Sequence, residues 1–105
     1  MDPLSASVSG VRAAALGVAS VAGNVANVNT PGYRPRRVDF QELLEGGVEV
    51  ASVREEGGEP PEGMSGVDLA SESTDLLGYA ATYEANLKVL DAQDEVLGTA
   101  MDLLV

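Results

Sequence analysis

Two stretches of the chain repeat apolar residues at alternating steps of four and three. The C-terminal stretch runs from Leu69 to Leu104, and nine of its eleven repeat positions are apolar or aromatic. Most residues between these positions are polar, charged or alanine. Because a 3.5-residue period keeps one stripe of a helix turned toward a partner, the pattern predicts a long helix about 54 Å in length that packs against another helix.

The N-terminal stretch follows the same rhythm and supplies a candidate partner. Its repeat positions are Leu4, Val8, Val11, Ala15, Val18, Ala22 and Val25. Asp2 can cap the first backbone N–H groups of this helix, and Pro3 fits its first position. Thr30-Pro31-Gly32-Tyr33 suits a type II turn, with Gly32 taking the positive φ. The predicted fold is therefore mainly α, an antiparallel two-helix coiled-coil hairpin with a short irregular, β-containing middle.

The turn residues between the two helices allow the chain to reverse, so we expect the helices to meet in one register. Matching Leu4 to Leu104 places Val8 near Met101, Val18 near Leu90 and Arg12 beside Asp94 and Glu95. We divide the single domain into residues 1–33, 34–66 and 67–105, which are the N-terminal helix and turn, the middle, and the C-terminal helix.

The middle segment predicts little regular structure. Residues 38–44 suit either a short helical turn or an extended segment, and Val48, Val50 and Val53 suggest one short strand. Residues 54–66 are rich in Glu, Gly and Pro, which predicts an extended, mobile linker.

Charge is distributed unevenly along the chain. The formal net charge is −11, yet residues 1–37 hold four Arg and one Asp, whereas residues 38–105 hold two basic and sixteen acidic residues. This balance argues against nucleic acid as a partner, because phosphate binding needs clustered basic residues. Arg34, Arg36 and Arg37 form a small basic cluster, which is either a solvated loop or one side of a subunit contact.

The composition offers little catalytic chemistry. The chain has no Cys and no His, which removes thiol chemistry and the usual general base. Asp91, Asp94 and Glu95 share a helix face, but no metal-binding loop accompanies them, and a solvated acidic face is the simpler interpretation. We expect no enzyme activity, no cofactor and no metal.

A membrane segment and a cleaved signal peptide are both disfavoured. The apolar run from Ala13 to Val28 carries Ser20, Asn24 and Asn27 and is too short to span a bilayer. Cleavage within the Ala-rich region that follows Arg12 would remove half of the N-terminal stripe. We therefore expect no direct membrane insertion and no cleaved signal peptide.

Both ends of the chain resemble the bacterial flagellar rod, hook and hook-associated proteins. Residues 24–33 read Asn-Val-Ala-Asn-Val-Asn-Thr-Pro-Gly-Tyr, similar to the passage that ends the N-terminal helix in that family. Residues 67–70 (Val-Asp-Leu-Ala) and 83–86 (Tyr-Glu-Ala-Asn) are similar to its C-terminal helix. The short middle, with Phe-Gln-Glu-Leu-Leu at residues 40–44, is most similar to the proximal rod proteins.

The resemblance implies a structural axial subunit of the basal-body rod, placed in the periplasm and exported through the flagellar export apparatus. Its implied partners are further copies of itself, other rod subunits and that apparatus. Gly66 and Ser73 stand where the family usually has Asn and Met, so one alternative is a diverged rod paralogue. Another is a soluble acidic helical-hairpin adaptor or secretion-system substrate.

The predicted assembly residues combine the two stripes with the family-like motifs. They are Leu4, Val8, Val11, Val18, Val25, Asn24, Asn27, Thr30, Gly32, Tyr33, Leu76, Tyr83, Asn86, Leu87, Leu90, Leu97, Met101 and Leu104.

Overall fold

A computed structural model describes residues 2–104 as two long helices joined by a β-hairpin. The elements are α1 (Pro3–Ala26), β1 (Arg36–Glu42), β2 (Val48–Glu55) and α2 (Leu69–Leu104). The molecule measures 68 × 24 × 14 Å, so it is a rod-shaped particle with almost no enclosed core. The predicted mainly α, antiparallel two-helix plan is confirmed.

Both ends of α1 form as the local sequence predicts. The Asp2 carboxylate accepts a hydrogen bond from the Ser5 backbone N–H at 2.9 Å, and this bond lowers the pKa of Asp2. After α1 ends at Ala26, the Tyr33 N–H donates to the Thr30 carbonyl at 3.2 Å, and Gly32 has φ +79°. This is the predicted turn, because a type II turn needs a positive φ at its third residue.

The middle segment forms a hairpin: the predicted short strand is β2, and the extended alternative for residues 38–44 is the one that forms, as part of β1. β1 pairs antiparallel with β2 from Arg36 opposite Glu55 to Glu42 opposite Val48, with an irregularity between Asp39 and Phe40. Gly46 and Gly47 take positive φ in the connecting turn, which lets the chain reverse within a few residues. Pairing gives the Val-rich segment the second strand that it needs to be stable.

The predicted linker is also shorter and better anchored than expected. Its first two residues, Arg54 and Glu55, belong to β2. Near its other end, the Gly32 N–H donates to the Met64 carbonyl at 2.9 Å and the Gly66 N–H donates to the Tyr33 carbonyl at 2.8 Å. The linker thus pairs with the turn that follows α1 before the chain enters α2.

The two helices pack in a different register from the one expected. A Cβ at Gly10 would lie 2.6 Å from Asn86, a Cβ at Gly17 would lie 2.5 Å from Tyr79, and Asn24 bonds to Glu72. The residue numbers in each pair add to 96, whereas the predicted pairs add to about 108. Val8–Met101 and Val18–Leu90 are therefore wrong by twelve residues, or about 18 Å along the axis.

Helix α1 also turns a different face toward α2. Its buried residues are Ser7, Ala14, Gly17, Val21 and Asn24, and all five immediately precede a member of the predicted stripe. The equivalent row on α2 contains Glu72, Tyr79, Asn86 and Gln93. A step of one residue rotates a helix by about 100°, so small and polar side chains form the contact and the larger apolar side chains lie beside it.

The shifted register leaves the C-terminal part of α2 without a partner helix. Pro3, the first residue of α1, lies opposite the region of Gln93, and α2 continues to Leu104. We call residues 94–104 the overhang; at 1.5 Å per residue it extends about 16 Å beyond α1. Asp94 and Glu95 belong to it, so the predicted pairing of Arg12 with these two residues does not form.

Helix α1 is long and apolar enough, by length and composition, to cross a membrane. The length argument made from residues 13–28 was therefore wrong, because the helix starts at Pro3. A signal sequence or the core helix of a soluble protein can have the same length and composition.

Candidate functional site

The end of the molecule where the chain reverses is held together by the Asn24 side chain. Asn24 is fully buried. Its Nδ2 donates to the two Glu72 carboxylate oxygens at 3.2 and 3.1 Å and to the Arg36 carbonyl at 3.0 Å. Its Oδ1 accepts from the Arg36 N–H at 2.8 Å and from the Tyr33 hydroxyl at 3.0 Å. One amide therefore joins α1, α2, β1 and the turn.

The Glu72 carboxylate is the charged centre of the same cluster. Glu72 has 0 % exposure, and Arg37 Nη1 lies 2.7 Å from its Oε1. Arg37 also contacts Asp75 at 3.5 Å and Glu56 through its Nε. A buried carboxylate is tolerated only when it is paired and hydrogen-bonded, and here Arg37 and Asn24 meet both conditions.

The acidic residues around Arg37 alter its titration. Burial of the guanidinium lowers its pKa, but hydrogen bonds to Glu72 and Glu56 outweigh this effect, so the pKa is raised above its usual value. Arg37 therefore remains a fixed positive charge between the hairpin and α2. We call Asn24, Tyr33, Arg37 and Glu72 the polar clasp.

The three residues of the Arg cluster have different surroundings, and Arg37 is not part of a solvated loop. Arg37 is only 14 % exposed and is used inside the subunit. Arg34 makes a looser pair with Glu55 at 3.7 Å between half-exposed or exposed side chains. Arg36 contacts the Asn24 side chain through its backbone N–H and carbonyl groups.

Residues of the family-like motif at 24–33 also make their hydrogen bonds within the chain. The Asn27 side chain donates to the Gly23 carbonyl at 2.8 Å, and the Thr30 hydroxyl donates to Asn27 Oδ1 at 3.1 Å. Together with Asn24 and Tyr33, these residues end α1 and direct the chain into β1.

Sequence reasoning missed Glu72 and the individual role of Arg37. An acidic side chain in the first turn of a helix is usually solvated and interacts favourably with the helix dipole, so the position of Glu72 in the sequence did not indicate burial. The signal that was present is Asn24, a poor residue for a helix interior, placed where its amide needs partners.

The predicted assembly residues fall into three groups by exposure. Those exposed are Leu4, Val25, Thr30, Gly32, Leu76, Tyr83, Leu87, Leu97, Met101 and Leu104. Those half-buried are Val8, Val11, Val18, Asn27, Tyr33, Asn86 and Leu90, and the one fully buried is Asn24.

The exposed and half-buried apolar members share one side of the molecule. On each helix these residues follow the residues of the α1–α2 contact by about one position in the sequence, which is a rotation of about 100° around the helix axis. Because the helices are antiparallel, this rotation turns both stripes toward the same side of the pair. The hairpin lies on the opposite side of α1, where Ser9 Oγ accepts from the Val48 N–H and Ser20 Oγ donates to the Arg36 carbonyl. We call this surface the apolar face; it comprises Leu4, Val8, Val11, Val18, Val25, Leu69, Leu76, Tyr83, Leu87, Leu97, Met101 and Leu104.

No catalytic constellation accompanies these features in the described part of the chain. Within residues 2–104, no group of three His, Cys, Asp or Glu side chains could hold a metal ion. The surface depressions are open and lined mainly by apolar side chains and backbone. The arrangement suits protein–protein contact.

Comparison with known proteins adds one match. Residues 63–103 match the family model described as flagellar basal body rod FlgEFG protein C-terminal. The match covers all of α2 except its last residue, together with the segment that leads into it, and so includes Glu72 and most of the overhang. No curated protein matches the chain.

Proposed function

We propose that the chain is an axial subunit of the flagellar basal body rod that assembles through its two helices, because residues 63–103 match the C-terminal model of that protein family. The family supports a structural role in the flagellum and association with other rod subunits. The finer parts of the proposal are assembly through the apolar face, a periplasmic position in the rod, and export by the flagellar apparatus without a cleaved signal.

The apolar face is the observation that carries the proposal. Leu4, Leu76, Leu87 and Met101 are 44, 41, 39 and 59 % exposed, and their common offset from the α1–α2 contact puts them on the same side of the molecule. Scattered exposed apolar residues are ordinary, but a contiguous apolar surface on a small protein marks a contact site. A subunit that is surrounded by copies and neighbours would cover this surface.

The contacts of α1 support its retention in the mature protein. Removal of α1 would take away Asn24, one of the partners of Glu72, and would expose the facing row of α2. This fold therefore needs an uncleaved N-terminus. That need supports export without signal cleavage and argues against membrane insertion of α1.

Deletion of the gene in its flagellated host, followed by complementation, tests the proposal. We expect deletion to prevent assembly beyond the rod, and we expect the unmodified gene to restore filaments. Leu87→Asp, on the apolar face, should fail to restore them, because it places a charge in a subunit contact. The matched control is Leu77→Asp, because Leu77 is 73 % exposed and lies off that face.

Two results would contradict the proposal. Normal filaments after deletion would favour a diverged paralogue. A stable monomer that copurifies with one tight partner outside the rod would favour the acidic adaptor.

A further inference from the structure

The β-hairpin has one covered strand and one open strand. From Arg37 to Phe40, β1 is half-buried, whereas every residue of β2 from Glu49 to Glu55 is exposed. Within residues 2–104, β2 pairs only with β1. A strand that is paired on one side presents unpaired backbone N–H and C=O groups along its other side. The free edge of β2 is therefore a surface to which a further strand can add.

The pairing of the hairpin shows which backbone groups point along this free edge. In an antiparallel pair, hydrogen-bonded and non-hydrogen-bonded residue pairs alternate. At one end the Glu56 N–H donates to the Pro35 carbonyl, and at the other end the Leu43 N–H donates to the Gly47 carbonyl. Counting inward from these two bonds gives the residues of β2 whose N–H and C=O groups point away from β1: Val48, Val50, Val53 and Glu55.

Two hydrogen bonds to side chains agree with this assignment. The Val48 N–H donates away from β1, to Ser9 Oγ at 3.1 Å. Arg36, which lies opposite Glu55, turns its N–H away from β2 and donates to Asn24 Oδ1 at 2.8 Å. The Val48 N–H is already bonded, so the open part of the edge begins after it.

A β-bulge gives the free edge an unusual spacing. Asp39 pairs with Ser52 and Phe40 pairs with Val50, so Ala51 is an extra residue in β2. The outward-pointing residues are therefore separated by steps of two, three and two, whereas a regular strand has a constant step of two. A regular strand can match only part of this edge. A second copy of β2, placed antiparallel, has the same steps in reverse and matches all of it.

We infer that two copies of the protein pair through β2, antiparallel and related by a two-fold axis, so that their hairpins form one four-stranded sheet. Val50 of each copy then lies opposite Val53 of the other, and each such pair exchanges two backbone hydrogen bonds. Ala51 lies opposite Ser52 across the axis, so the two bulges face each other with small side chains. The hairpin lies on the opposite side of α1 from the apolar face, so this contact goes beyond the proposed function.

The charges along β2 favour this register over its neighbours. The register places Glu49 of each copy opposite Arg54 of the other. A shift by one residue would place Glu49 opposite Glu55 and would turn unmatched backbone groups toward each other. Together with Asp39 and Arg34, which form ion pairs with it, β2 carries three acidic and two basic side chains. Charge therefore selects the register and does not by itself attract the copies.

The small size of the contact sets the conditions for observing it. One added strand pair buries less than the roughly 1,200 Å² of a standard stable interface, so the dimer is weak. Each copy also carries a net charge of −11, and salt at about 0.5 M screens the resulting repulsion. A two-fold contact is closed, so dimers are expected and longer chains are not. A covalent trap at high protein concentration is the suitable measurement.

Disulfide trapping is specific because the chain has no Cys. Val50→Cys and Val53→Cys are made as separate single variants and oxidised at millimolar concentration, alone and mixed. In the inferred register the two Cα atoms lie about 5.5 Å apart between copies, within the range of a disulfide. Two copies of the same variant place their Cys residues about 10 Å apart along the strand and cannot be joined. We expect at least tenfold more disulfide-linked dimer in the mixture than in either variant alone.

Charge reversal tests the register through the Glu49–Arg54 pairs. Glu49→Arg in both trapping variants places two arginines opposite each other at each pair and should lower the yield of the mixture about two- to fivefold. Using Arg54→Glu instead in one of the two variants restores opposite charges at both pairs. This combination should restore the yield, which also shows that the substituted chains still fold.

Three results would overturn the inference. Equal yields in the mixture and in the single variants would mean random collision. Absence of trapped dimer from the mixture would leave the edge of β2 to a strand of another protein. Loss of trapping with Leu87→Asp, which alters the apolar face, would place the contact on that face; we expect this variant to leave the yield unchanged. None of these results bears on the proposed function, which gene deletion tests.

Discussion

The two ends of the helical hairpin are built on opposite principles. At the closed end, where the chain reverses, Asn24 and Glu72 are fully buried and joined by directional hydrogen bonds. At the open end, α2 runs past Pro3 and exposes Leu97, Met101 and Leu104 to solvent. Polar groups are inside at one end and apolar groups are outside at the other.

This contrast shows how a subunit can be well defined and incomplete at once. Hydrogen bonds and ion pairs have narrow geometry, so the polar clasp allows one register of α1 against α2. Apolar contacts tolerate many arrangements, and the larger apolar side chains of this chain stay exposed beside the helix contact. The register is thus set by the directional contacts of the polar clasp.

The largest effect is expected when the polar clasp loses its positive charge. Arg37→Ala leaves the Glu72 carboxylate buried with only the Asn24 amide as a partner, and breaking such a pair costs about 3 kcal/mol. The same change at Arg34, whose pair with Glu55 is looser and half-exposed, should cost less than about 1 kcal/mol. Thermal unfolding followed by circular dichroism measures both. Equal losses would mean that the closed end does not control the fold.

A smaller effect is expected from the α1–α2 contact. Gly17→Ala adds a Cβ 2.5 Å from the Tyr79 ring, so overpacking should outweigh the gain in helix propensity and cost about 1–2 kcal/mol.

Gly23→Ala is the matched control for that substitution. No atom lies within 4 Å of its new Cβ, so it should raise stability by about 0.4–1 kcal/mol. Two substitutions of one type in one helix would then have opposite signs. Stabilisation by both would contradict the observed packing.

The smallest effect is expected at the open end. Leu104→Ser changes a side chain that is 86 % exposed, and its effect on the unfolding free energy should be within about 0.5 kcal/mol. A large loss of monomer stability would instead place Leu104 in an internal contact.

Much of the local structure was readable from single residues. Asp2 and Pro3 start α1, and Pro31 and Gly32 form the turn, because caps and turns depend on the geometry of a few adjacent residues. The two helices followed from the apolar repeats, and their antiparallel order followed from the turn residues between them. The β-hairpin did not follow, since residues 38–44 suited a helical turn as well as an extended segment, and pairing with β2 decides between the two.

The register and the face of contact were decided by the tertiary structure alone. The repeats at Val8, Val18, Leu87 and Met101 correctly mark surfaces that avoid water, but an apolar stripe carries no information about which molecule covers it. Only the folded chain places Glu72 within reach of Asn24 and Arg37. That buried charge cannot remain unpaired, so its pairing fixes how the two helices meet. The contact face lies one residue before each apolar stripe, and the register differs by about twelve residues from the one that the stripes suggest.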